Sequence, residues 1–83
     1  MSYYVYMILS KINGKYISYV GYTNNIQKRL SLHNSSKGAK FTKGKFWKLI
    51  YKKKYKTKSL AMINEYKLKK DRIKRTEIKN RFI

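Results

Sequence analysis

The chain has 83 residues, 22 Lys and Arg against 3 Asp and Glu, a formal net charge of +19 and a pI near 10.3. That length holds one small domain with one modest core. With 42% hydrophobic and 16% aromatic residues the chain is no disordered tail, and the absence of Cys excludes disulfides and thiolate-bound metals.

The first residues, MSYYVYMILS, are too short to span a bilayer and lack the basic start and cleavage site of a signal peptide. A reducing cytosol is the simplest expected setting. Tyr3 to Leu9 reads as a strand, with Tyr4, Tyr6 and Ile8 on one face and Tyr3, Val5, Met7 and Leu9 on the other. Both faces are apolar, which predicts a central strand covered on each side. Asn13-Gly14 marks a tight turn, so Tyr16 to Tyr22 is expected to return antiparallel. Thr23, Asn24 or Asn25 then caps a helix to about Asn34, whose stripe Ile26, Arg29, Leu30 and His33 falls at i, i+3, i+4 and i+7.

Ser35 to Lys45 reads as a basic loop. Phe46 to Tyr55 resembles a third strand, with Trp47, Leu49 and Tyr51 on one side and Lys48, Ile50 and Lys52 on the other. Ser59 is the expected cap of a second helix through about Lys70, with Leu60, Ala61, Met62, Ile63 and Leu68 as a broad apolar face. Residues 71–83 form a basic C-terminal extension that packs as a short helix or frays. The expected architecture is α+β: a three-stranded antiparallel sheet flanked by helices, in the order β-β-α-β-α.

The charge predicts a polyanionic partner, because crowding so many like charges on a small surface costs stability. A biased base composition explains Lys over Arg but leaves the scarcity of carboxylates unexplained. Membrane binding is disfavoured, since no long amphipathic helix with a clean apolar face is evident. The residues also limit the chemistry. One His, no Cys and only Glu65, Asp71 and Glu77 as acids make a carboxylate cage for two metals hard to build, and no Ser-His-Asp set or phosphate-binding Gly loop is found. Glu65 sits at the edge of its helix's apolar sector, where it either pairs with a Lys or binds a cation. Arg29 is either a snorkelling residue at the core edge or a fixed cation for a phosphate, and His33 either a satisfied core residue or a functional one.

Taken together, Tyr4-Val5-Tyr6, Tyr19-Val20-Gly21, the stretch Asn25 to Leu30 and the helix around Glu65 resemble the GIY-YIG nuclease superfamily, from about Tyr3 to Lys70. The chain looks closest to the small stand-alone bacterial members, whose Lys- and Gly-rich loop Lys37-Gly38-Ala39-Lys40-Phe41-Thr42 resembles, and is distantly similar to the nuclease domain of UvrC-type repair proteins. The first motif departs from the family pattern, reading Tyr-Val-Tyr. Tyr22 follows the second motif where repair members carry Lys.

The resemblance implies a metal-dependent DNA endonuclease, acting in repair, recombination or processing. It implies that Tyr6 and Tyr19 supply the motif phenols and Gly21 the motif glycine. It implies that Arg29 stabilises the scissile phosphate, His33 lies near the attacking water, and Glu65 binds one divalent cation, Mg2+ or Mn2+. Lys28, Lys37, Lys40, Lys43, Lys45 and Lys48 are the expected DNA-backbone contacts, with Lys52 beside them. The competing expectations are a non-catalytic nucleic-acid-binding module that keeps the fold, and an RNA-associated basic protein.

Overall fold

The computed structural model describes residues 2–83. Its elements are β1 (Tyr3–Ile12), β2 (Lys15–Thr23), α1 (Ile26–Asn34), a single 3-10 turn (Lys40–Thr42), β3 (Lys48–Tyr55), α2 (Lys58–Lys70) and α3 (Arg72–Phe82). The first two strands form an antiparallel hairpin with Tyr6 opposite Gly21. Its two-residue loop has Asn13 and Gly14 at φ 51° and 79°, the left-handed pair that matches the twist of the strands. β3 pairs antiparallel with the other side of β1, giving the order β2-β1-β3. The doubly apolar strand is therefore the central one, as its pattern predicts.

Two apolar clusters cover the two faces of the sheet. On one, Val5, Met7 and Val20 pack with Ala61 and Leu68 of α2 and Ile78 of α3. On the other, Tyr6, Ile8 and Trp47 pack with Ile26 and Leu30 of α1 and with Tyr19 and Leu49. The sheet is thus sandwiched between α1 and the α2–α3 pair.

Several boundaries differ from expectation, each for a local reason. β3 begins at Lys48 rather than Phe46, because Trp47 is held by a side chain instead of a strand: its N–H donates to Asn34 Oδ1 at 2.6 Å and its carbonyl accepts from Asn34 Nδ2 at 3.1 Å. The alternation along β3 also breaks. Met7 pairs with Tyr51 but Ile8 with Leu49, so Ile50 is an extra residue in a bulge. Leu49 consequently packs with Tyr6 and Ile8, while Ile50 and Tyr51 both join the opposite cluster.

The second helix is capped by Thr57, not Ser59; its hydroxyl accepts from Leu60 N–H at 3.1 Å. Only Ala61 and Leu68 of its expected apolar face are buried, while Leu60, Met62 and Ile63 are exposed. The inward stripe is narrow and passes through Glu65, four residues after Ala61. Asn25, among the three candidates, caps α1 by accepting from Lys28 N–H at 3.1 Å. Residues 72–82 form a packed helix rather than a frayed tail. Asp71 caps it at Lys74 N–H, and Ile78 is buried against the sheet cluster.

Candidate active site

A cavity of about 350 Å3 opens beside β2. Tyr6, Tyr19 and Gly21 reach it from the hairpin, Arg29 from α1, and Lys58 and Glu65 from α2. Tyr19 and Gly21 lie on the α1 side of β2, and their neighbour Tyr22, which belongs to the α2–α3 cluster, also lines it. A cavity touching both faces of a sheet must pass around a free edge, and β2 is such an edge. This explains how side chains from helices on opposite faces meet in one place.

The phenols differ in setting. Tyr6 is buried, whereas Tyr19 is half-buried and stacks at 6.2 Å on the Phe41 ring. Burial, followed by the nearby Tyr19, pushes the Tyr6 phenol well above its ordinary value of 10.0; Arg29 opposes this and Glu65 adds to it. The Tyr6 hydroxyl lies 2.8 Å from His33 Nε2, and His33 Nδ1 lies 2.7 Å from Thr42 Oγ1. His33 itself is 1% exposed and does not line the cavity. It stands one hydrogen bond behind Tyr6. Burial and, secondarily, the Arg29 guanidinium hold its imidazole below the ordinary 6.5, so it is neutral near pH 7.

Glu65 is the single carboxylate of the cavity, since Asp71 serves as a helix cap and Glu77 is exposed on α3. Its Oε2 lies 3.4 Å from Lys69 Nζ, a long pair with a half-exposed Lys, worth little. Arg29 makes no ion pair among the described residues, so its planar fork is available to an anion. No cluster of three or more His, Cys, Asp or Glu is present among the described residues. A single carboxylate among phenol oxygens suits a hard cation that keeps water and shares its remaining positions with a substrate phosphate, as Mg2+ sites commonly do.

Lys28, Lys37, Lys40, Lys43, Lys48 and Lys52 are all exposed. Lys28 lines a second, smaller concavity with Arg29, continuous with the first through Thr23 and Asn24. Lys45 differs: its ammonium donates to the Phe41 carbonyl at 3.0 Å and rests over the Phe41 ring, fastening the loop on itself. Sequence reasoning named Gly38 and Thr42 only as members of the Lys- and Gly-rich loop, and it did not single out Lys58. Gly38 lies against the His33 ring, where a β-carbon would strike Nδ1.

The fold agrees with comparisons to known proteins. The profile of the GIY-YIG catalytic domain matches residues 2–79. The chain belongs to this family, which is a family of nucleases.

Among its relatives are a UPF0213 protein of Staphylococcus haemolyticus, 42% identical over 80% of this chain and 78% of the relative, and UPF0213 protein YazA of Bacillus subtilis, 38% identical over 93% and 76%. A relative from Oceanobacillus iheyensis is 48% identical over 61% of this chain, a match that spans 60% of the relative's length. The solution structure of UPF0213 protein BH0048 from Bacillus halodurans superposes with a TM-score of 0.50 at 35% identity, covering 96% of this chain and 84% of that one. No helix among the described residues is long and apolar enough to cross a membrane.

Proposed function

We propose that the chain is a divalent-cation-dependent endonuclease that hydrolyses phosphodiester bonds of DNA, with a role in repair, recombination or processing. The observation that carries this reading is the single cavity shared by Tyr6, Tyr19, Arg29 and Glu65. These groups come from two strands and two helices, and they bring one carboxylate and a guanidinium with no ion pair among the described residues to the same opening. The +19 charge supplies the attraction for a polyanion, and GIY-YIG nucleases in general use divalent metals.

In this reading the exposed lysines hold the DNA backbone and the Arg29 fork binds the non-bridging oxygens of the scissile phosphate. Its fixed charge stabilises the extra negative charge of the transition state. Glu65 would hold a cation, Mg2+ or Mn2+, whose Lewis acidity supports departure of the leaving oxygen. Tyr6 and Tyr19 flank the phosphate and orient the attacking water, whose proton leaves toward the Tyr6–His33 pair.

The test is a nicking assay on plasmid, flap, junction and single-stranded DNA, with Mg2+, Mn2+ or chelator. The parent nicks only with the cation. Arg29→Ala and Glu65→Gln lower the rate by about 100- to 1000-fold while leaving DNA binding nearly intact. If both variants cut as fast as the parent, the assignment of the site is wrong. Binding without cation-dependent cutting of any substrate establishes the non-catalytic module instead.

A further inference from the structure

The hydrogen bonds behind Tyr6 have a direction, and Thr42 sets it. The Thr42 hydroxyl carries one hydrogen, and its Oγ1 lies 2.8 Å from the Ala39 carbonyl, an oxygen that only accepts. With that hydrogen committed, Oγ1 meets the imidazole 2.7 Å away only as an acceptor, which requires a proton on His33 Nδ1. A neutral ring protonated at Nδ1 has a bare Nε2, and this nitrogen accepts from the Tyr6 hydroxyl at 2.8 Å. With the Thr42 hydroxyl directed at Ala39, donation runs from Tyr6 to His33 to Thr42 to Ala39.

The surroundings hold this order in place. Thr42 is 0% exposed and His33 1%, so no solvent water substitutes for either partner. The Thr42 carbonyl accepts from Trp47 Nε1–H at 3.0 Å, and Trp47 is itself clasped by Asn34. Gly38 closes the other flank, its missing side chain leaving room for the imidazole.

We propose that Thr42 is a positioning residue that fixes His33 as its Nδ1–H tautomer, so that Nε2 takes the Tyr6 hydroxyl proton as Tyr6 takes one from the attacking water. Its catalytic purpose rests on the nuclease reading above; the tautomer does not. In that step a water O–H bond breaks as the water oxygen bonds to phosphorus. The water proton moves to Tyr6 Oη, the former phenol proton moves to His33 Nε2, and the leaving oxygen departs with its electron pair. Tyr6 ends neutral and His33 ends as the imidazolium. No free phenolate is needed. The opposite tautomer would point an N–H at Tyr6 and close the route.

The experiment is long-range proton–nitrogen NMR of the intact chain, in which the one His gives a single unambiguous set of ring signals. The expected spectrum has the proton on Nδ1 and an unprotonated Nε2. Thr42→Val removes the acceptor at nearly constant volume, and moves the ring toward the Nε2–H form. Thr42→Ser restores the parent spectrum. Nicking falls roughly 10- to 100-fold in the Val variant and recovers in the Ser variant, the range usual for residues that orient a reacting ligand.

A parent spectrum with the proton on Nε2, or a Val variant with the parent tautomer, overturns the proposal even in a protein that cuts DNA. The expected tautomer in a chain that cuts nothing overturns instead the nuclease reading and the catalytic purpose of Thr42. Should Thr42→Val not fold, the parent and Ser spectra still decide the tautomer.

Discussion

The Tyr6 hydroxyl occupies the space that a side chain at position 21 would fill: a β-carbon built on Gly21 falls 2.5 Å from Tyr6 Oη. The two residues face each other across the β1–β2 ladder, and Gly21 has ordinary strand backbone, so the glycine is needed for the phenol's room and not for the chain's conformation. Gly21→Ala is expected to displace the ring from His33, with a stability loss of about 1–3 kcal/mol for overpacking. Nicking should fall by at least about 10-fold, because small displacements of reacting groups are costly. Thermal melts and a nicking assay measure the two effects, and a variant with parent values for both contradicts the close approach.

The loop lysines should divide by what holds them. Lys43 is exposed, whereas Lys45 is fastened to the Phe41 carbonyl and ring. Removing one phosphate contact lowers the dependence of log affinity on log salt by about 0.9. Lys43→Ala is expected to show that change with little loss of stability. Lys45→Ala should leave the slope nearly unaltered and lower the melting temperature. Fluorescence-anisotropy titrations with duplex DNA at several salt concentrations measure the slopes.

Stability should carry the signature of a single imidazole. The fold holds His33 below its ordinary 6.5, chiefly by burial and then through Arg29. Between the folded value and 6.5 the unfolded chain binds a proton that the native protein does not, so stability rises with pH across that window. It is present in full above about 6.5 and is lost as pH falls toward the folded value, at no more than about 1.4 kcal/mol per pH unit. Denaturant melts from pH 5 to 7.5 should show this slope in the parent and not in His33→Gln. With only 3 carboxylates and 1 His in the chain, few other groups compete in the window.

The last helix is expected to behave as core. Ile78 is 6% exposed and packs with Val5, Met7 and Leu68, so Ile78→Ala should cost about 2–4 kcal/mol. Ile73, 75% exposed on the same helix, should tolerate alanine within about 0.5 kcal/mol. Equal effects at the two positions, measured by chemical denaturation, would rule out the packing described for α3.

Much of the fold was legible because its signals are local. The doubly apolar Tyr3–Leu9 run marked the central strand, and Asn13-Gly14 fixed a two-residue turn and with it the whole hairpin register. The cavity residues Tyr6, Tyr19, Arg29 and Glu65 were found through the order of short motifs along the chain, which periodicity alone left ambiguous. What escaped depends on contacts distant in sequence. The bulge at Ile50 is a mismatch between two strands distant in sequence, invisible in either one. Thr42 meets His33 nine residues away through an irregular loop whose Lys and Gly content pointed only to solvent and phosphate. The burial of His33 also escaped, because the i, i+4 spacing from Arg29 says nothing about which side chain is covered by the loop. Residues 71–83 lack periodicity since a single buried Ile78 anchors them.

The outer rim of β3 carries Lys52, Lys53 and Lys54 in succession, all exposed, on a strand that has no further strand beyond it among the described residues. Another molecule approaching to extend the sheet there brings the same row of ammonium groups, and the two rows repel before any ladder forms. Dissolved ions shorten the reach of that repulsion to about 3 Å at 1 M. Any barrier to pairing at this edge is therefore electrostatic in origin, strongest in dilute buffer and weakest in brine.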